Sequence, residues 1–420
     1  MTYLIGQLAL EVFTKHHNIN MIDSKFHKNN RRQISKTIPN CPIIITAYNK
    51  MQQSNDVAFR FKQESNFWWL TGIDEPNWFV IIDGISDKSW LVAPNISGAH
   101  KTFDGDLSFN DAMSISGVDG ILNNDEATEK LIQLAGEPGF VYTVGDLTHA
   151  EQYSFVINPA LQKLQNRLEG IFGEVRFCNL ELSKLRAIKQ PVEIEAIRDA
   201  VTVTINGFNK VKQNLSTFDY EYDAEAEFTY YFRKNGSNGH AFDPIIANGK
   251  NACTLHYISN NSLLEKGNLV LFDVGAQVSG YSADISRTYA IGELSERHIA
   301  VHDAVEQANQ QIIELLRPGL KLEDYKNQVD GIMQNALRQL NLLSSSSDYA
   351  RYFPHSVSHG LGVDTHDSLG QATEFLPGMV VTVEPGIYIH EENIGVRIED
   401  DILITDDGHE NLTAALDTSL

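Results

Sequence analysis

Cysteine is scarce in this chain. Its 420 residues include three, Cys41, Cys178 and Cys253, far apart and with no CxxC pair. That excludes a disulfide framework and a cysteine-held zinc site, and it fits a reducing compartment. Positive charge is also in deficit. Lys and Arg number 33 against 55 Asp and Glu, a net charge of −22. No basic footprint is left for nucleic acid or for an anionic membrane surface. No segment approaches the roughly 20 apolar residues of a membrane span. The opening MTYLIGQLALEVFTKHHN has a short apolar run, with no basic stretch before it and no small-residue cleavage site after it. The expectation is a cytoplasmic protein, with residues 1–20 forming a short helix or an arm. What remains is an ordinary globular composition, 42% apolar and 21% charged, on a length that predicts two domains.

The first half alternates short strands with helical stretches. DSKFHKNNRRQISKTIP reads as a basic helix and CPIIITAY as a strand. An aromatic-rich segment follows, with strands expected near 67–71 and 78–83, and then KSWLVAP and GFVYTVG as further strands. This predicts a small α/β domain over 1–178, with Trp68 and Trp69 in its core. A second domain, 179–420, starts with a helix that has Pro191 near its first position, acids Glu193 and Glu195 in its first turns, and apolar residues at helical spacing from Ile194 to Val211. Helix, helix, hairpin then occurs twice. This predicts two related halves closing around a central cleft.

Two stretches organise that domain: LVLFDVGAQVSGYSADISRTYAI (269–291) and VVTVEPGIYIHEENIGVRIEDDILIT (380–405). Each reads as two strands rich in β-branched residues around a polar turn. A turn centred on Val278-Ser279 places Asp273 directly opposite Asp284, and one centred on Glu391-Glu392 places Glu384 opposite Glu399. Facing residues on one side of an antiparallel pair have Cβ atoms about 4.5–5.5 Å apart, and like charges there repel. Four carboxylates in one interior require cations. Oxygen donors point to divalent metal, Mn²⁺, Co²⁺ or Zn²⁺, and a pair of ions about 3.5–4 Å apart would let carboxylates bridge them. Four histidines lie just before these hairpins: His256 in TLHY, and His355, His359 and His366 in PHSVSHGLGVDTHD. Imidazole serves both as metal ligand and as proton carrier near neutral pH. One of the four is expected to hold metal and the others to face substrate.

At these residues the chain resembles the aminopeptidase P and prolidase family of pita-bread metallopeptidases. The resemblance is carried by KLRAIKQPVEIEAIRDA, FDPIIANGKNACTLHY, VLFDVGAQVSGYSADISRTY, HSVSHGLGVDTHD, TVEPGIYI and VRIEDDILIT, and in the first domain by FRFKQESNFWWLTGIDEP. It implies an α/β N-terminal domain followed by a pita-bread domain of pseudo-twofold halves. It implies two divalent ions, usually Mn²⁺, with Asp273 on the first, Asp284 and Glu399 bridging, and His359 and Glu384 on the second. Catalytic roles fall to Glu384, His256 and His366, and substrate contacts to His256, His355, His366 and Arg397. The implied reaction is attack of a metal-bridging hydroxide on an Xaa-Pro bond, with Glu384 shuttling the proton. Phe242, Tyr257 and Tyr388 are candidates for the proline pocket. The implied assembly is a homo-dimer or homo-tetramer, with no nucleic-acid or membrane partner.

Within that family, aminopeptidase P takes longer peptides and prolidase only dipeptides. A dipeptidase must hold a free carboxylate, and no Lys or Arg lies between Arg351 and Arg397; this favours aminopeptidase P. Other relatives keep the fold as a binding module or hydrolyse creatine without metal. The five intact ligand positions favour a metallopeptidase over both.

Overall fold

The computed structural model describes residues 22–136, 138–145 and 156–420; the expectation for residues 1–20 lies outside them. Ile22–Leu185 and Arg186–Leu420 form two compact units, and the chain passes from one to the other inside the helix Asn179–Ala187.

The N-terminal unit has strands β1 (Pro42–Thr46), β2 (Gln52–Ser54), β3 (Val57–Ala58), β4 (Phe79–Asp83), β5 (Lys88–Val92), β6 (Gly120–Leu122), β7 (Phe140–Thr143) and β8 (Glu174–Phe177). Six of them form one mixed sheet in the order β6-β5-β4-β1-β7-β8. PIIIT and FVIID are buried at every position, the pattern of central strands covered on both faces. Ala127, Leu131, Leu164 and Leu168, on two helices, pack against Ile44, Ile81 and Val141.

One expected strand is a helix. Ser65–Thr71 begins where the Glu64 carboxylate accepts from Phe67 N and ends at Gly72 in the left-handed conformation. The run NFWWL is too short for its period to separate helix from strand, and the end caps decide it. Trp69 is buried there as expected, whereas Trp68 is half-buried, edge-on to His27.

The C-terminal unit has strands β9 (Gly239–His240), β10 (Ile245–Asn248), β11 (Asn268–Val274), β12 (Ala276–Val278), β13 (Tyr281–Ser282), β14 (Ile285–Ile291), β15 (Val380–Val383), β16 (Gly386–Ile389), β17 (Ile394–Arg397), β18 (Asp400–Ile404) and β19 (His409–Asn411). The helices Pro191–Asn214 and Glu221–Lys234 precede the first set; Glu296–Ile313 and Leu322–Gln339 precede the second. The order helix, helix, hairpin therefore occurs twice, as the pita-bread expectation requires. Pro191 opens its helix, and Glu193 folds back to accept from Gln190 N at 2.8 Å. Phe208, Phe228 and Phe232 of the first helix pair stack towards Phe272 and Tyr289 of the first hairpin. Val305, Ala308 and Ile312 of the second pair share a core with Val383, Ile387, Val396 and Ile398. Each hairpin thus has one face sealed by apolar packing, which leaves the acids on the other.

Candidate metal centre

The second hairpin has the register expected from its sequence. Val383 pairs with Asp400 and Gly386 with Arg397, so Glu384 and Glu399 stand opposite one another between the two ladders. The first hairpin does not. Gln277 pairs with Ser282 and Asp273 with Ser286. The turn is Ser279-Gly280, both with positive φ, 50° and 82°, the two-residue geometry that matches strand twist. Asp284 therefore sits two residues nearer the turn than a partner of Asp273 would. It also lies at a break: β11–β14 and β12–β13 belong to different sheets. At the break Gly275 presses on the opposite backbone, where a Cβ would come within 1.7 Å of the Ala283 carbonyl.

The structure nevertheless gathers the five predicted ligands. Donor atoms of Asp273, Asp284 and Glu399 lie within 4.8 Å of one another, as do those of His359, Glu384 and Glu399, and of Asp284, His359 and His366. His359 Nε2 is 3.5 Å from Asp284 Oδ2 and 3.5 Å from Glu384 Oε1. Its Nδ1 is 3.0 Å from the Gly360 carbonyl, which orients the ring with Nε2 towards the acids. The hairpins are stitched directly: Glu399 N donates to the Ser286 carbonyl at 3.0 Å, and Ser286 Oγ to Glu399 Oε2 at 2.7 Å.

Arg397 lies behind the acids. It donates through Nη2 to Asp273 Oδ2 at 2.6 Å, through Nε to Ser286 Oγ at 2.9 Å and through Nη1 to Tyr388 Oη at 2.9 Å. Tyr388 Oη also meets His355 Nε2 at 2.9 Å. Tyr388 is fully buried, so it supports the site from behind and does not form an open wall of a proline pocket. Phe242 is half-buried beside Gly275, and Tyr257 turns its hydroxyl onto Glu221. His355 Nδ1 lies 3.6 Å from Glu384. His256 and His366 are exposed, and the His359 and His366 rings are 4.2 Å apart.

The electrostatics fit a cation site. Burial, then Glu399 and Asp273, pushes the Asp284 carboxyl well above its usual range. Burial and Glu399 do the same to Glu384, and burial with Asp273 raises Glu399 to about 8. Burial, with His366 beside it, lowers His359 to about 4; burial and Arg397 lower His355 to about 4; burial and His256 lower His366. Neutral imidazole is the form that ligates metal. Asp273 Oδ1 is buried without a hydrogen-bond partner, a cost that coordination would remove. One neutral nitrogen and several carboxylate oxygens form a donor set suited to Mn²⁺ or Zn²⁺.

Several supporting residues had no sequence signal. Arg287, 1% exposed, donates to the Glu399 carbonyl and to Asp400. Thr382 Oγ1 accepts from His359 N, and Asp401 accepts from Asp284 N. Asp367, next to His366, is held by Arg186 at 2.9 Å and Lys189 at 3.4 Å. Buried charges of this kind are recognisable only once a fold brings their partners together.

The sequence model of metallopeptidase family M24 matches residues 195–406, a span that contains all five donors. The chain belongs to this family. It is a metal-dependent hydrolase with an N-terminal domain of the aminopeptidase P type, matched over residues 27–142. This M24 peptidase is 30% identical to the Xaa-Pro aminopeptidase of Escherichia coli strain K12, an alignment covering 93% of this chain and 95% of that one. The structure of aminopeptidase P from E. coli with the inhibitor Pro-Leu superposes with TM-score 0.82 at 28% identity, over 95% of this chain and 96% of the other. The zinc-substituted form of the E. coli enzyme, in complex with product, gives TM-score 0.83 at 28% identity over the same shares. The pita-bread architecture and the need for divalent metal are thereby established for this chain.

Proposed function

We propose that this M24 peptidase is an Xaa-Pro aminopeptidase using two divalent ions, with Mn²⁺ the first choice and Co²⁺ or Zn²⁺ able to substitute. One observation carries the two-ion reading. Asp284 and Glu399 each belong to a donor group containing Asp273 and to another containing His359. With two ions bound, these two carboxylates would be the shared ligands, Asp273 would complete one set, and His359 with Glu384 would complete the other. When bound, the metal supplies Lewis acidity and makes water nucleophilic near neutral pH.

The chain's own residues do the rest. Glu384, which stands opposite Glu399 and 3.5 Å from His359 Nε2, accepts the proton of the attacking water and delivers it to the proline nitrogen. His256 and His366 donate hydrogen bonds to the substrate carbonyl as charge develops on its oxygen. His355, tied to Tyr388, lines the pocket, and Arg397 fixes Asp273. Residues 1–178 form the accessory domain and 179–420 the catalytic one. The assembly is a homo-dimer or homo-tetramer in the cytoplasm. Among the described residues no helix is long and apolar enough to cross a membrane.

Prolidase activity is the second reading. It needs a cation for the dipeptide carboxylate. Arg351 is paired with Glu391 and Arg397 with Asp273, and no Lys or Arg lies between them. The deciding assay loads the protein with Mn²⁺, counts bound metal, and compares release of Xaa from Xaa-Pro-Yaa-Zaa and from Xaa-Pro. Preference for the tetrapeptide is expected. Preference for the dipeptide would establish prolidase, and protein without metal or release would leave only a binding module.

A further inference from the structure

His256 stands on a segment with little regular backbone structure. Gly249–Cys253 is a short 3-10 turn. From Leu255 to Asn261 there is neither helix nor strand, only a turn at Leu255-His256. A catalytic side chain on such a loop would wander unless side chains hold it.

One does. Glu221 is fully buried at the first position of the helix Glu221–Lys234. Its two carboxylate oxygens accept four hydrogen bonds, all from the His256 segment or its ends. Oε1 takes Asn248 N at 2.8 Å and Asn251 Nδ2 at 2.9 Å. Oε2 takes Tyr257 Oη at 2.8 Å and Ser262 N at 2.9 Å. Glu221 N returns a bond to the Ser262 carbonyl at 2.9 Å. One carboxylate therefore ties down both ends of the loop and the residue next to His256. Asn260 adds a second tie, accepting from Ile246 N and donating to Glu225 and the Pro244 carbonyl. With Tyr257 drawn inward, its neighbour His256 is left exposed. It stands close enough to His355 and His366 for its charge to lower their basicity.

We propose that Glu221 is a positioning residue for the reaction: its carboxylate clamps the loop 248–262 and thereby holds His256 at the substrate. The proposal rests on the peptidase reading given above. A carboxylate is required because all four partners are donors. The amide of glutamine would set its own NH₂ against two of them. The motif is therefore local: an acid opening one helix fixes a histidine 35 positions later, without touching metal or substrate itself.

The test uses the metal-loaded full chain as wild type, Glu221→Gln, His256→Ala and the double variant. Glu221→Gln is expected to lower kcat/KM on an Xaa-Pro-Yaa peptide by about tenfold or more, the scale of a small misplacement at the reacting group, with bound metal unchanged. In the His256→Ala background the same change should cost less than about twofold, because the two residues act as one unit. Equal losses in both backgrounds, or no loss in either, would overturn the proposal. Should Glu221→Gln fail to fold, Tyr257→Phe removes one donor and should cost about threefold, again only where His256 is present; no loss there would overturn it too. Amide exchange separates the clamp from the peptidase reading. Residues 248–262 should exchange at least about tenfold faster in Glu221→Gln while 296–313 stay unchanged. Unchanged exchange defeats the clamp. A wild type that leaves Xaa-Pro peptides intact, with the loop still exchanging faster in Glu221→Gln, defeats the peptidase reading alone.

Discussion

β11–β14 and β15–β18 each carry two carboxylates into one interior, but from different positions in the ladder. The second hairpin keeps one register from Val380 to Leu403 and places its glutamates face to face. The first also keeps one register, and both hairpins interrupt their ladder where it passes between two sheets, but Asp273 lies within the ladder opposite Ser286 while Asp284 lies in the gap, two residues out of step with it. What the two hairpins share is the outcome, with Glu399 and Asp284 both central to the donor groups.

That contrast can be broken most severely at the shared donors. Asp284→Ala or Glu399→Ala should abolish binding of both ions, while Asp273→Ala should leave one. Activity in the first two should fall at least as far as the roughly 10²–10⁴-fold that a lost general acid–base costs. Elemental analysis beside steady-state kinetics checks it, and one ion retained in Glu399→Ala would show that it does not bridge. Glu384→Gln comes next: turnover should drop about 10²–10⁴-fold in a protein that stays folded by circular dichroism.

Arg397 belongs to the second hairpin but serves the first. Arg397→Met strands Asp273 and should destabilise the metal-free protein by about 3–5 kcal/mol, the usual result of removing one partner of a buried pair. Urea unfolding measures this, and a smaller effect would mean that Asp273 is held elsewhere.

Chelation sharpens the contrast through pH. Glu399 is raised to about 8 by burial and then Asp273, and burial followed by Glu399 raises Asp284 and Glu384. Folded-state values above the unfolded ones mean that the folded form holds more protons. From these three carboxyls the chelated protein gains a contribution that is complete below about pH 4.5 and is lost as pH rises towards 8, while His355 and His359, held near 4, act in the opposite sense only below about pH 6.5. Its Tm should be several degrees lower at about pH 8 than at about pH 6, and metal should flatten the difference. Smallest of all, Ser279→Asn suits the left-handed first turn position and should raise stability by no more than about 0.5 kcal/mol. Urea unfolding would resolve that gain from none.

How much of this the sequence disclosed differs between the same two regions. Glu384 and Glu399 could be paired by counting from Glu391-Glu392, because the turn is centred there and the register holds across the gap between the two ladders. Counting failed by two residues for Asp273 and Asp284. The symmetry of the acids about Val278-Ser279 concealed the Ser279-Gly280 turn, and moving the turn by one residue moves the pairing by two. The helix Ser65–Thr71 was hidden for a related reason: its evidence lies in Glu64 and Gly72, outside the aromatic run. Glu221 and Asp367 were invisible because a buried acid is recognised by donors 27 to 181 positions away.

The bond from Ser286 to Glu399 spans 113 residues, and that distance has a consequence during synthesis. At ordinary elongation rates the ribosome needs on the order of ten seconds to make the intervening stretch. Throughout that interval Asp273 and Asp284 have emerged while Arg397, their counterweight, has not been made. The nascent first hairpin thus holds Asp273 before the guanidinium that pairs with it exists, and the five-donor set is complete only when the last hairpin has been made.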